Sequence, residues 1–553
     1  MTPRPPRVIV FGFDGGDPDL LFPWARAGHL PNLRRVMDAG CHARLESTRH
    51  PLTPAAWTSM VTGVNPGRHG IFDFGARRPG SYHIDLVTSR DRRFPTIFET
   101  LPAPLRSGVV NLPLTFPADP IRGFAASDMH TPSLETPGAT HPPELAAKLR
   151  EWGWIIDAMV HWHDDRSRFL DDVRALHDAQ HRVALRLFDE ESPDLFFPVY
   201  VAFDRVAHAF WAAMTAAHRA SPGARGDEGD AVYFAAKMQD DALGDYLARL
   251  GPDDHLLVVS DHGFGDLRGD VYLNAWLIDE GYLAFDPAKV RAFVPPPPSG
   301  GDDPRHAWHA KLLGDKPQPL PDDDDAIRRG RFDARYKSWD TVDWTRTRAY
   351  ASGLFGNVWI NLRGREPEGI VEPGRDHETL RDELIDRLRE LRHPDDGAPL
   401  ASFVAPRDDL YWGAQLDLAP DIVVTFRDNA YMTRGATEFH ETRLVGPVAV
   451  GHTGNHRAHG IALLAGPRAA RGLAGDSHIL DIAPTILYLL GAPIPRNLDR
   501  PAPSGALIDP GAMRAHPPEI GPAISSREIA PSDAPGVNLD EVRRRLEGLG
   551  YLA

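Results

Sequence analysis

Short apolar runs recur along the chain at RVIVFGF (7–13), LFFPVYVAF (195–203), HLLVVS (255–260), DIVVTF (421–426) and GIALLAG (460–466). Each is too short for a buried helix and too continuously apolar for a strand with one wet face, so each reads as a parallel strand covered on both sides. Between them, apolar residues return at helical spacing, as in 143–153, 168–191 and 231–250. Strands alternating with helices predict an α/β fold, a doubly wound and mostly parallel central sheet with helices on both faces. No internal repeat interrupts the alternation.

Two regions leave this pattern. VPPPPSGGDDP (294–304) and PQPLPDDDDAIRRGR (317–331) combine proline with like-charged runs that bury too little apolar surface for a core, so 285–345 is expected to be an insertion or lid. The tail from Pro501 is rich in proline and small residues and ends in NLDEVRRRLEGLGYLA, an amphipathic helix expected to dock on the body or on a partner. The expected organisation is a catalytic core in two parts, 1–284 and 346–500, with variable insertions at about 75–180, the lid at 285–345 and the tail at 501–553. Trp152, Trp154, Trp162 and Trp308 are read as packing residues rather than as a stacking platform.

The length of 553 residues allows one large domain with insertions or two to three ordinary ones. A net charge of -16 argues against a nucleic-acid polymer or an anionic membrane surface as partner and leaves small molecules, an acidic one being receivable by bound metal. Cys41 is the single cysteine, so intramolecular disulfides and cysteine zinc sites are excluded and any metal is held by His, Asp and Glu. The N-terminus has no signal-peptide pattern and no window resembles a membrane span, so a soluble cytoplasmic protein is expected.

Candidate chemistry clusters at strand ends, where open α/β sheets build their sites. In FGFDGGD, Asp14 ends a strand and two glycines let the chain turn close to a ligand; by itself it is as readily a helix cap. In FDRVAHAFW, Asp204 and His208 are four apart and share a face if the segment is helical, which suits a transition ion or an ordinary surface pair. In VVSDHGFG, Asp261 and His262 leave an apolar strand together. His452, His456 and His459 crowd one glycine-rich loop, and spacing does not choose among them. Thr53, in HPLTPAAWTSMVTG, reads as an N-cap before Pro54, with Gly63 closing the helix. The same position puts a hydroxyl at a helix N-terminus, a natural site for an oxyanion.

Through FGFDGGDP, PLTPAAWTSMVTGVNPGRHGIFDF, FDRVAHAFW, VVSDHGFG and GNHRAHGIALLAGP, spread over most of residues 7–500, the chain resembles the alkaline phosphatase superfamily, and within it the type I phosphodiesterase/nucleotide pyrophosphatase branch. The resemblance implies an alkaline phosphatase-like three-layer sandwich with an inserted cap. It implies Thr53 as nucleophile, Asp204, His208 and His456 at one divalent-metal site, and Asp14, Asp261 and His262 at another, with Thr53 bridging to the second. Zinc is the expected ion, manganese or iron being compatible with the same donors. The activity implied is hydrolysis of small phosphate esters, diesters first, through a phosphothreonine. A phosphotransferase, a phosphomonoesterase, a phosphonate hydrolase or a non-catalytic scaffold are the alternatives. Asp73 and Phe74 stand where that branch carries a phosphate-holding asparagine, which weakens the case for nucleotide diesters, and the sulfatase formylglycine motif is absent.

Overall fold

All six residues of the strand Val8–Phe13 are buried, and their side chains fill both faces at the middle of a ten-stranded sheet. From one edge the order runs Gly472–Leu473, Gly40–Glu46, His459–Ala465, His255–Val259, Val8–Phe13, Leu195–Tyr200, Ser107–Val110, Gly123–Ala126 and Thr140–His141, with Ser477–His478 also paired to Gly40–Glu46. Helices such as Arg166–Glu191, Ala231–Leu247 and Ile482–Leu490 cover it, the α/β architecture expected. The structure is a computed structural model; it describes residues 6–78, 80–158, 160, 162, 165–294, 318–433, 439, 443–448, 451–527 and 539–548.

Register aligns the strand ends that matter. Gly12 pairs with Val199 on one side and Val259 on the other, all parallel, so Asp14, the Ala202–Phe210 helix and Asp261 follow from the same edge of the sheet. Gly12 has a steric reason to be glycine, because a Cβ there would meet Val199 Cγ2 at 2.7 Å and Trp57 Cη2 at 3.0 Å.

Three expectations are corrected. The run 195–203 stops as a strand at Tyr200 and continues as a helix from Ala202. His459–Ala465 belongs to the main sheet but runs antiparallel to both its neighbours, and Ile422–Phe426 sits in a second sheet with antiparallel partners only. Burial on both faces produces an apolar run whatever the direction of the neighbouring strand, so the pattern could not separate these cases.

Two compact units are present. The first combines Met1–Asp73, Val87–Asp266 and Thr453–Arg544; the second combines Phe74–Leu86, Leu267–His452 and Arg545–Ala553. The second unit contains a seven-stranded sheet built around Gly356–Ile360 and Ile422–Phe426. It extends well beyond the expected 285–345 insertion, and the flanks of that insertion are not lid-like: Phe285, Ile327 and Val342 are fully buried in the second unit's core. Single apolar residues among prolines and aspartates escape a window average yet pack individually. Residues 295–317, including Trp308, lie outside the described residues.

Trp154 and Trp162 are buried, as packing residues should be, and Trp152 lies under the Arg186 guanidinium at 4.0 Å. In the tail, Ile520–Gly521 pairs with Ile494–Pro495, and Asp540–Gly548 is helical with Val542 and Leu546 buried. Residues 528–538 and 549–553 lie outside the described residues. Among the described residues no helix is long and apolar enough to cross a membrane.

Candidate functional site

The aligned strand ends deliver two donor groups, both within the first unit. Asp204 and His208 lie one turn apart on the Ala202–Phe210 helix and meet His456, which a short antiparallel ribbon, Gly454–Arg457 against Gly263–Asp266, brings opposite Phe264. The ring Nε2 atoms of His208 and His456 are 3.1 Å apart, and both face Asp204 Oδ1, at 3.5 and 3.4 Å. Asp14, Asp261 and His262 form the second group, with His262 Nε2 at 3.2 Å from Asp261 Oδ2 and 3.8 Å from Asp14 Oδ1. In each group the ligand atoms lie within 4.8 Å of one another and all six residues are buried. The His262 and His456 rings stack at 3.5 Å, which puts the groups side by side.

Hydrogen bonds set the direction of each donor. The Nδ1 atoms of His208, His456 and His262 lie 3.1, 2.8 and 3.0 Å from the carbonyl oxygens of Gly454, Pro51 and Gly263. A carbonyl only accepts, so Nδ1 carries the proton and Nε2 turns a lone pair inward. Two facing lone pairs 3.1 Å apart have no proton to share, an arrangement that a cation between them relieves. Asp14 Oδ1 and Asp261 Oδ2 are buried and receive no hydrogen bond. Buried carboxylate oxygens without donors are costly unless an ion takes the donor's place, so these residues fit divalent metal.

The electrostatics agree. Burial, and next the neighbouring Asp204 charge, push the Asp14 carboxyl well above its ordinary range. Burial, then Asp14 and Asp204, do the same to Asp261. Burial pushes the His262 and His456 imidazoles down, leaving them neutral at neutral pH. Arg205, buried beside Asp204, pairs with buried Asp157 at 3.1 Å and adds a positive charge in range of Asp14.

Thr53 lies with the second group, its Oγ1 3.3 Å from His262 Nε2. It is the first residue of the helix Thr53–Thr62 rather than its cap: Leu52 holds the N-cap position, and Gly63 ends the helix in the left-handed conformation with φ 68°. By helix geometry the N–H groups of Thr53 and Ala55 have no intrahelical acceptor, and Pro54 has none to satisfy. His452 and His459 belong to neither group; His459 opens its strand opposite Glu46.

Several residues that build the site had no signal in the sequence. Pro51, Gly454 and Gly263 act through backbone carbonyls, which any residue supplies. Ser260 accepts from Gly16 N at 2.7 Å and donates to the His262 carbonyl at 2.5 Å, stapling the Asp14 turn to the Asp261 turn. Trp57 donates its indole N–H to Asp14 Oδ2 at 3.1 Å, and its spacing of four from Thr53 was the one usable clue.

A sequence model of the family described as type I phosphodiesterase / nucleotide pyrophosphatase matches residues 8–461. No curated protein matches the chain. Among solved structures, phosphonoacetate hydrolase from Sinorhizobium meliloti 1021, in complex with phosphonoformate, is 17% identical over 89% of this chain and 96% of its own, with a TM-score of 0.52. Murine ectonucleotide pyrophosphatase / phosphodiesterase 5 is 13% identical over 88% of this chain and 95% of its own, with a TM-score of 0.46.

Proposed function

We propose that this chain, which belongs to the type I phosphodiesterase / nucleotide pyrophosphatase family, hydrolyses small phosphate esters, diesters in preference, with Thr53 as nucleophile. The observation that carries the reading is the Thr53 hydroxyl, 3.3 Å from His262 Nε2 and beside two buried three-residue donor groups. Asp204, His208 and His456 would hold one divalent ion and Asp14, Asp261 and His262 the other, zinc being the ion we favour. Bound there, the ions supply positive charge that acidifies a hydroxyl and offsets charge on a transferring phosphoryl group.

The residues divide the remaining work. With Nδ1 donating to Gly263, His262 presents only a lone pair, so in the metal-free protein the Thr53 hydroxyl donates to it and points its oxygen lone pairs into the site. Attack by Oγ1 on phosphorus forms the Thr53 Oγ1–P bond as the bond to the leaving oxygen breaks in line. The Thr53 hydroxyl gives up its proton to solvent as this bond forms, and the leaving alkoxide keeps the electron pair of its broken bond to phosphorus and takes a proton from solvent. Water then attacks from the opposite side, the P–Oγ1 bond breaks and the Thr53 hydroxyl is restored, giving two inversions and net retention at phosphorus. N–H groups of the first turn of the Thr53–Thr62 helix face developing negative charge on phosphoryl oxygens.

The test is turnover of bis-p-nitrophenyl phosphate and p-nitrophenyl phosphate by zinc-loaded wild type and Thr53→Ala, with bound metal counted on both. Diesterase activity lost in Thr53→Ala while both ions remain supports the reading. A wild type that binds no metal overturns it, and an inactive wild type that keeps two ions redirects the substrate to another ester or to transfer.

A further inference from the structure

Trp57 and Thr53 share one face of the same helix, one turn apart, and Trp57 alone of the two reaches across to Asp14. The indole is fully buried, packs edge-on against Phe197 and lies over Gly12, where a Cβ would come within 3.0 Å of its ring. Its Nε1–H takes Asp14 Oδ2 and leaves Oδ1 directed toward Asp261 and His262, with no hydrogen bond of its own. The orienting bonds on Asp261 and His262 come from the Gly15 N–H and the Gly263 carbonyl, backbone groups that no side-chain replacement removes. Within this group Asp14 is therefore the ligand candidate whose described orienting bond comes from another residue's side chain.

We propose that Trp57 is a positioning residue for one of the two metal sites: it holds Asp14 as a one-oxygen donor and ties that donor to the helix that carries the nucleophile, so Thr53 and the Asp14–Asp261–His262 site keep one geometry. The inference rests on reading Asp14, Asp261 and His262 as metal ligands. It predicts an asymmetry, because no hydrogen bond described for Asp204, His208 or His456 involves Trp57. Removing the indole N–H weakens one site and spares the other, with the 10–100-fold loss typical of an orienting partner, about 10-fold at least.

The experiment is zinc binding to the full chain by competition with a chromophoric chelator, resolving two dissociation constants, for wild type, Trp57→Phe and Gly12→Ala. Gly12→Ala keeps the indole and pushes it off Asp14, since its methyl would crowd Trp57 and Val199. Expected is one site weakened about 10–100-fold in both variants and the other unchanged within about two-fold. Adding His208→Ala to Trp57→Phe should then leave only the weakened site. Unchanged binding at both sites, or equal loss at both, overturns the proposal. So does loss of the native circular dichroism in both variants, which assigns Trp57 to core packing alone. A wild type without two zinc sites instead removes the ligand reading beneath it.

Discussion

Replacing Asp261 by asparagine should stabilise the metal-free protein and weaken the metal-loaded one. Asp261 is fully buried, its Oδ2 receives no hydrogen bond, and its ligand atom lies within 4.8 Å of that of Asp14. Two like charges at 4.8 Å, the widest separation the group allows, repel by about 3.5 kcal/mol at an effective dielectric constant of 20, which sets the scale of what the substitution relieves when both are ionised. Asparagine retains an oxygen for the Gly15 N–H and offers Asp14 a donor in place of a charge. Spread over a unit of roughly 350 residues, 3.5 kcal/mol corresponds to about 5 °C in melting temperature.

The pH dependence has a definite sign. A carboxyl whose folded-state pKa is raised binds its proton more tightly folded than unfolded, so the metal-free protein loses stability as pH rises from the ordinary value of 3.8 through the raised values of Asp14 and Asp261. His262 and His456, pushed down, contribute in the opposite direction only up to their ordinary value of 6.5. Above pH 6.5 the histidine contribution is complete. Melting curves in EDTA from pH 4 to 9 should therefore show Asp261→Asn gaining on wild type as the pH rises from the ordinary carboxyl value, and standing above it once the wild-type carboxyls ionise. With zinc the order should reverse. A metal-free Asp261→Asn that melts at or below wild type throughout that range would refute the claim that the group is held together against its own charge until metal arrives.

Three further outcomes are expected. Thr53→Ala should lose about 10⁴-fold or more in kcat for diesters while retaining both metals, read by single-turnover kinetics and metal analysis; loss of metal instead would make Thr53 a structural ligand. His456→Ala, which removes one of three donors and leaves the Pro51 carbonyl without its partner, should weaken zinc binding by about 10²–10³-fold, from a structural-site energy of about 10–16 kcal/mol divided over four ligands. In the second unit, Asp421 is fully buried and accepts from Arg365 at 2.6 Å, Ile360 N at 2.7 Å and His377 Nε2 at 3.0 Å. Asp421→Asn should cost about 3–5 kcal/mol and speed proteolysis within 267–452, and unchanged cleavage there would show the pair to be energetically idle.

Much of this was legible along the chain. The runs at 7–13 and 255–260 are strands of the main sheet, the helices at 168–191 and 231–250 start and stop within a few residues of expectation, and Asp14 and Asp261 stand just past strand ends because an apolar run that ends in Asp-Gly or Asp-His has few other uses. Gly63 as helix terminator was readable for the same local reason: only a left-handed residue ends the helix there cheaply.

What the chain could not disclose is whatever depends on pairing. Spacing left His452, His456 and His459 open and only the family resemblance singled out His456; in the structure an antiparallel ribbon puts His456 opposite Phe264, in one group with Asp204 and His208. Direction of the strand at 459–465, membership of 422–426 in a second sheet, and the burial of Phe285 and Ile327 are likewise properties of neighbours. Residue types and their local spacing determined which elements form and which chemistry is available. Only the tertiary structure decided which lone pairs meet, because a hydrogen bond to the Pro51 carbonyl or from the Trp57 indole that aims a ligand depends on where two distant stretches of chain are packed, and no local pattern records that distance.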